Sequence, residues 1–390
     1  MEFFISGRRA GLQKIPMITN PGNRHDLKLF LCGDVMTGRG IDQALPHQAD
    51  PVLYESWIED ARDYLRLAEQ KNGPIETPVS REYIWGDAQE AWKDNAPDLK
   101  LANLETSITT NEEPWPGKGI NYRMHPDNVK VLSAAGIDHC SLANNHILDW
   151  GHNGLKETIK TLESAKIKFS GAGCNMKEAS APSVFHVGSH RALVYSCGSI
   201  DSGIAPMWAA GRSRPGVNFF GGYGKKEIAK IRCSVESDKN PGDMAIFSVH
   251  WGGNWGYPIP EKRRRFAYNL IDEAGIDVIF GHSSHHPLGI EVYKQKPVIY
   301  GAGDFINDYE GISGHEEYRG ELSLMYFPVI EIPSGNLISL KMVPMEIKKF
   351  RLNRAPENDA QWLRQMLDRE GDKLGTGIRM DKDSSLWLEW

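Results

Sequence analysis

An α/β fold is predicted by three features of this 390-residue chain. Apolar, strand-like runs recur, and five of them stop at a Gly- or Asn-containing turn bearing a side chain able to bind a metal. Between them lie stretches whose apolar residues repeat at helical spacing. Residues 322–331 and 337–346 then read as an antiparallel pair joined through Gly335. In an open α/β sheet, ligands bind outside the carboxyl ends of the strands. The chemistry is therefore expected at those five ends.

In chain order, residues 1–26 read as an irregular arm broken by Pro16, Pro21 and Gly22. The first strand is predicted over 27–33. A helix is predicted over 51–70, where Leu53, Trp57, Ala61, Tyr64, Leu65 and Ala68 share a helical period. Gly73, Pro74 and Pro78 make 71–79 a loop. A strand near 98–103 leads to Glu105, and the Pro- and Gly-rich stretch 112–119 is expected as a loop near the site. Residues 126–135 read as a helix with Pro126 in its first turn. A strand at 137–142 and a helix at 153–165 follow. Further strands are predicted near 167–170, 191–196 and 244–250, with a loop over 202–224. A helix at 261–274 precedes strands at 276–280 and 297–301, the latter running into GAGDF. After the antiparallel pair come a helix at 357–369 and an apolar end from Leu386 to Trp390. Neither an internal repeat nor a long linker interrupts this order. One domain is predicted over 27–346, with 347–390 as a C-terminal extension packed on it.

Composition narrows the function. A hydrophobic content of 40% supports a sizeable core. The net charge of −6, with no basic run longer than Lys262 to Arg265, argues against a nucleic-acid partner. Cys32, Cys140, Cys174, Cys197 and Cys233 are odd in number and form no CxxC pair, which points away from a disulfide framework and towards a reducing compartment. No run of 18 apolar residues is present, so no membrane span is expected. Arg8 and Arg9 follow Phe3, Phe4 and Ile5 directly, leaving no apolar segment of a signal peptide. A cytoplasmic protein is expected; the sequence does not set its oligomeric state.

The five strand ends carry the candidate site. Asp34 follows Gly33; its carboxylate suits a hard cation, although a turn Asp also caps its own backbone. Glu105 ends a buried run and needs a partner, either a metal or Arg123. In LANNHILDWGHNG, Asn145 offers an amide oxygen to a metal, His146 is placed as a general acid, and Asp149 is placed to orient an imidazole. His250 ends MAIFSVH, before Gly252 and Gly253, which permit close backbone approach. GHSSHHPLG holds His282, His285 and His286, a density that favours metal ligation; the spacing alone leaves open which of them bind. Asp304 in GAGDF is either a tight-turn residue or a substrate contact. Arg123, Arg212 and Arg214 are candidate anchors for an anionic substrate. Asp, Glu, Asn-His, His and a His cluster in this order make a two-metal hydrolase pattern, in which paired cations activate water and clamp developing charge.

The motifs GDVMTGRG, ANLETSIT, ANNHILDWG, VHWG, GHSSHHPLGIEV and YGAGDF, spread from Leu27 to Ile330, resemble those of the CapA family. These are the poly-γ-glutamate biosynthesis proteins of the calcineurin-like metallophosphatase superfamily. The resemblance implies a four-layer αββα sandwich of two mixed sheets, with two divalent metal ions (Mn, Fe or Zn) at the strand ends. Asp34, Glu105, Asn145, His250, His282 and His285 then fall on metal-ligand places and His146 on the catalytic-acid place. Arg123, Asp304 and His286 remain as substrate-binding candidates. Three positions depart from the superfamily pattern: Met36 stands where a His is usual, Glu105 where an Asp is usual, and Ser284 interrupts GHxH. A first site that is weaker, or a single metal, is the expected consequence.

The resemblance implies a metal-dependent hydrolase acting on a small or polymeric anionic substrate, first of all a γ-glutamyl amide. The alternatives are a phosphoesterase, a non-catalytic subunit of polyglutamate (capsule) assembly, and a metal-assisted peptide isomerase. The family's better-known members are anchored or exported proteins of capsule assembly, features that the start of this chain does not suggest.

Overall fold

The computed structural model describes residues 25–390. The arm expected over 1–26 lies outside them except for its last two residues. Strands assemble into two large mixed sheets. In the first, Asp26–Val35 is central. It runs parallel to Leu99–Leu104, which continues through His139–Ser141 to Lys168–Ser170. On its other side it pairs antiparallel with Leu322–Glu331, which pairs with Leu337–Ile347. In the second sheet, His190–Ser199, Met244–His250, Val278–His282 and Lys296–Ile299 run parallel, with Ile290–Tyr293 antiparallel at the edge.

Alternation along the strands decides what each face meets. Leu27, Leu29, Leu31, Leu99 and Leu101 of the first sheet share one apolar cluster with Val194, Ile246, Val278 and Phe280 of the second. The opposite face of the first sheet, with Phe30, Cys32, Ala102 and Cys140, packs against Trp92, Leu132 and Leu155. Those three lie on the helices Ala88–Asn95, Lys130–Ala135 and Gly151–Ser164. The opposite face of the second sheet, with Leu193, Phe247, Val249 and Ile279, packs against Ile228, Val235, Phe266 and Leu270. These lie on the helices Lys225–Asp238 and Glu261–Asp272.

Two backbone irregularities aim polar groups into the seam between the sheets. Strict alternation would turn Asp34 away from the seam, since Leu27, Leu29 and Leu31 face it. The register slips between Leu31↔Leu101 and Asp34↔Asn103, an extra residue that returns Asp34 to the Leu31 face. Gly33 sits in this bulge, where a Cβ would come 1.7 Å from the carbonyl oxygen of Gly303. No other residue permits that approach. The second irregularity is a change of sheet. Lys296–Ile299 belongs to the second sheet, whereas Asp304–Ile306 pairs with the first, bringing Asp304 into register with Asp34. Asp304 therefore opens a separate short strand; it does not end the strand predicted at 297–301.

Other differences are local. The predicted helix 51–70 is realised as Arg62–Asn72. Ahead of it the chain folds back, with Leu53 N–H bonded to Glu59 O and Ala61 N–H to Pro51 O. Leu53, Ala61 and Tyr64 do pack together, but as a small cluster beneath this loop. Residues 126–135 start as the 3-10 turn Pro126–Val129 before Lys130–Ala135 becomes α-helical. The C-terminal helix Glu357–Asp372 and the strands Gly377–Met380 and Leu386–Glu389 add Leu363, Leu367, Ile378 and Leu386 to the seam cluster. All five cysteines are free.

Candidate metal centre

His250 and His282 are register partners at the ends of neighbouring parallel strands, so both rings project from one face into the seam. Their Nδ1 atoms lie 2.8 Å apart. Opposite, across the seam, stands Asp34, with Oδ1 4.0 Å from His282 Nδ1. Glu105 Oε2 is 3.8 Å from His250 Nδ1. On the other side of Asp34, Asp304 Oδ1 bonds His285 Nδ1 at 2.9 Å. Two buried groups could thus each hold a metal, Asp34 with His250 and His282, and Asp34 with His285 and Asp304, the ligand atoms of each lying within 4.8 Å of one another. Asp34 belongs to both.

The charges fit a cation. Asp34, Glu105 and Asp304 are buried close together, and Asp34 Oδ2 has no hydrogen-bond partner. Burial and the neighbouring Asp304 push the Asp34 carboxyl up to about 7, and burial together with Asp34 raises Glu105 as well. Buried carboxylates this near each other resist ionising together unless positive charge lies between them. Burial also holds His250 and His282 well below the usual histidine range, as neutral imidazoles, the ligating form.

Asparagines brace the carboxylates. Asn103, two residues before Glu105 and on the same strand face, donates from Nδ2 to Asp34 Oδ1 at 2.7 Å and to Glu105 Oε2 at 2.9 Å. Asn144 Nδ2 donates to Asn103 Oδ1 at 3.1 Å, and its own Oδ1 accepts from the His146 backbone N–H. Asn145 Oδ1 meets His250 Nε2 at 3.0 Å, the ring nitrogen remote from His282. Asn145 thus reaches the candidate centre through the His250 ring.

His146 sits against this centre with Nε2 4.0 Å from Glu105 Oε1. Its Nδ1 bonds Asp149 Oδ2 at 2.7 Å, the orienting contact expected of Asp149. Lys118 Nζ is 2.6 Å from Asp149 Oδ1 and also donates to the Asn145 carbonyl. Burial pulls His146 down to about 4, despite the opposing pull of Asp149.

Several predicted residues are placed elsewhere. Arg123 donates to the carbonyls of Asn111 and Asp50 and stacks 3.8 Å over Trp150, so its guanidinium serves loop carbonyls instead of Glu105. His286 accepts from the Gly256 N–H and stacks on Tyr318 at 4.4 Å, within an aromatic cluster. Arg212 and Arg214 are exposed, Arg214 donating to Ala209 O. Asp304, expected as a turn or substrate residue, stands among the candidate ligands. Met36 is buried and holds the edge by its backbone N–H to Ile306 O.

Sequence reasoning missed three contributors. Asn103 was detectable, because residues i and i+2 of a strand share a face with Glu105. Lys118 gave no signal as a lone lysine in the Pro/Gly loop. Arg39 opens the helix Arg39–Ala44 at φ +48. It makes a two-pronged contact with Asp308 (3.1 and 2.5 Å), bonds Glu55 at 2.8 Å and lies 4.2 Å over the Tyr122 ring. With Tyr122, Tyr309, Asn254, Trp255 and His285 it lines a cleft of about 680 Å³ that leads to the second candidate group. Among the described residues no helix is long and apolar enough to cross a membrane.

This chain is similar to known proteins over most of its length. It is 45% identical over 367 residues to a probable polyglutamine synthesis accessory protein of Mycobacterium tuberculosis, covering 94% of this chain and 96% of the relative. It is 24% identical over 282 residues to the capsule biosynthesis protein CapA of Bacillus anthracis, covering 72% of this chain and 60% of that one. It is 26% identical over 284 residues to the PGA biosynthesis protein CapA of Bacillus subtilis, covering 72% and 63%. Residues 28–309, which hold both candidate metal groups and His146, match the family described as bacterial capsule synthesis protein PGA_cap. The chain is a member of this CapA family, whose named members are linked to capsule and polyglutamate synthesis.

Proposed function

We propose that the chain is a metal-dependent hydrolase serving polyglutamate synthesis or turnover, with a γ-glutamyl amide as its substrate. The observation that carries this reading is Asp34, shared by two ligand groups beside a His146–Asp149 pair. The sheet seam, with helices packed on both outer faces, also supports the αββα metallophosphatase arrangement. Asp34, His250 and His282 would hold one divalent ion (Mn, Fe or Zn), with Glu105 beside it, and Asp34, His285 and Asp304 the other. Asp304 then supplies what Met36 does not. Ions held there would supply Lewis-acid chemistry, polarising a scissile carbonyl and lowering the pKa of water.

The protein's own groups do the rest. Asp149 takes the Nδ1 hydrogen of His146, leaving Nε2 as the atom that exchanges a proton at the reaction centre. With its pKa held near 4 by burial, the ring is neutral at pH 7. It therefore accepts the proton of the attacking water, whose hydroxide adds to the carbonyl carbon, and hands that proton to the amine that leaves as the C–N bond breaks. Lys118 holds Asp149 in place. The cleft lined by Tyr122 and Trp255 receives the substrate and restricts water.

The test is turnover of γ-glutamyl peptides and poly-γ-glutamate by protein loaded with manganese or zinc, next to a panel of phosphoesters. His146→Ala is expected to lower turnover by about 10²–10⁴-fold while metal content stays the same. Activity confined to phosphoesters would replace the amide reading with a phosphoesterase. One observation favours a second reading: the 45%-identical relative is named an accessory protein. Metal-loaded protein that is inert on both panels, yet co-purifies with a polyglutamate ligase, would establish that reading instead.

A further inference from the structure

One line of buried polar groups starts at His282 and runs away from the candidate centre, and its further members have no part in the chemistry above. His282 Nε2 bonds Ser248 Oγ at 2.8 Å. Ser141 Oγ donates to Ser248 Oγ at 2.6 Å, and Ser196 Oγ donates to Ser141 Oγ at 3.0 Å. Ser196 shares a 2.7 Å bond with Ser170, and Ser170 Oγ lies 2.9 Å from His139 Nε2. Every member is at most 2% exposed. The line ends at His139 Nδ1, which is buried without a partner.

The fold makes this line from register. Ser141 and Ser170 are ladder partners in the first sheet, and Ser196 and Ser248 in the second, so four hydroxyls meet across the seam. Away from these hydroxyls and the candidate centre, the seam is lined by apolar side chains. Small side chains let the sheets approach here, but alanine would pack equally well. A buried hydroxyl costs desolvation unless it is bonded, so four serines in place of alanines call for a reason.

We propose that the four serines are a positioning line for His282, which ties the state of the metal centre to His139. The inference rests on the metal reading above and deepens it. Held at Nε2, the ring presents Nδ1 towards His250 and Asp34. In the geometry described, Ser248 accepts from Ser141, so its own hydrogen goes to Nε2 and the ring hydrogen stays on Nδ1. A histidine that ligates through Nδ1 carries its hydrogen on Nε2 instead. Each hydroxyl both donates and accepts, so the line adapts to either state by rotation about Cβ–Oγ, and the reorientation reaches the Ser170–His139 bond. A seam of alanines has no such response.

The experiment uses the full chain with zinc alone as the probe. Zinc affinity is measured by competition with a chromophoric chelator, and the ring nitrogens of His139 are followed by NMR with ¹⁵N-histidine labelling. Ser248→Ala is expected to weaken zinc binding by about 10–100-fold, and Ser248→Thr, which keeps the hydroxyl, to restore it. In Ser141→Ala, zinc still binds but the His139 signals no longer shift on its addition. Should Ser248→Ala fail to fold, Ser141→Ala and Ser248→Thr carry the test. Wild-type affinity in Ser248→Ala, or wild-type His139 signals indifferent to bound zinc, overturns the proposal alone. A wild-type chain that takes up no zinc overturns the metal reading together with it.

Discussion

Asp34→Asn is expected to empty both metal groups at once. The substitution keeps an oxygen to accept from Asn103 Nδ2, so the local packing survives, but it removes the one carboxylate common to both groups. Metal per chain should fall from about two ions to none, whereas His285→Ala, which touches only the second group, should leave about one. Hydrolytic turnover should drop by about three orders of magnitude or more, the share of catalysis that several kcal/mol of charge stabilisation represents. Elemental analysis of protein purified without chelator, beside turnover, checks both. Retention of two ions in Asp34→Asn would refute a shared ligand. The metal-free proteins should differ in the opposite sense. Burial raises Asp34 from 3.8 to about 7, so the folded state binds more protons than the unfolded one between these values. Wild-type stability without metal therefore falls as pH rises through that window. Denaturant titrations at pH 4 and pH 7 should show less of this fall in Asp34→Asn.

Arg39→Met is expected to be the most destabilising single change in the cleft wall. Arg39 neutralises Asp308 and Glu55, and all three side chains are at most 2% exposed. Methionine fills much of the volume yet leaves two buried carboxylates without a cation, a loss of about 3–5 kcal/mol. Arg39→Lys should rescue only part of this, because an ammonium cannot reproduce the planar fork on Asp308 or its stacking over Tyr122. Urea unfolding of the three proteins provides the measurement. An Arg39→Met midpoint equal to the wild type would show that the carboxylates find other partners.

The contrast between these two residues shows what the sequence reveals. Asp34 was legible as a candidate because an apolar run ending in Gly-Asp is a local pattern, and the same holds for Glu105, His146, His250, His282 and His285. The antiparallel pair over Leu322–Glu331 and Leu337–Ile347 was equally visible from alternation about a turn. What stayed hidden is non-local. The slip that turns Asp34 into the seam depends on its register with Leu99–Leu104, and Asp304 becomes its neighbour only because the chain changes sheet after Ile299. Arg39 shows no periodic signal, and its partner Asp308 lies 269 residues away. Arg123 and His286 carry suitable chemistry, but loop carbonyls engage one and aromatic rings the other. Residue type nominates a candidate; only pairing across the seam selects it.

The candidate ligands come from both sheets, Asp34 and Asp304 from one and His250 and His282 from the other. An ion held among them is also a rivet through the two halves of the fold. Its binding energy adds to the cohesion of the folded state, by about 2.7 kcal/mol when free metal is a hundredfold above the dissociation constant. Thermal unfolding with and without chelator should show this as a metal-dependent midpoint, and a midpoint indifferent to chelator would rule it out. The amount of this protein in a cell, and not only its activity, would then follow the supply of the metal, because chains without an ion would open more often at this edge and would be cut by proteases.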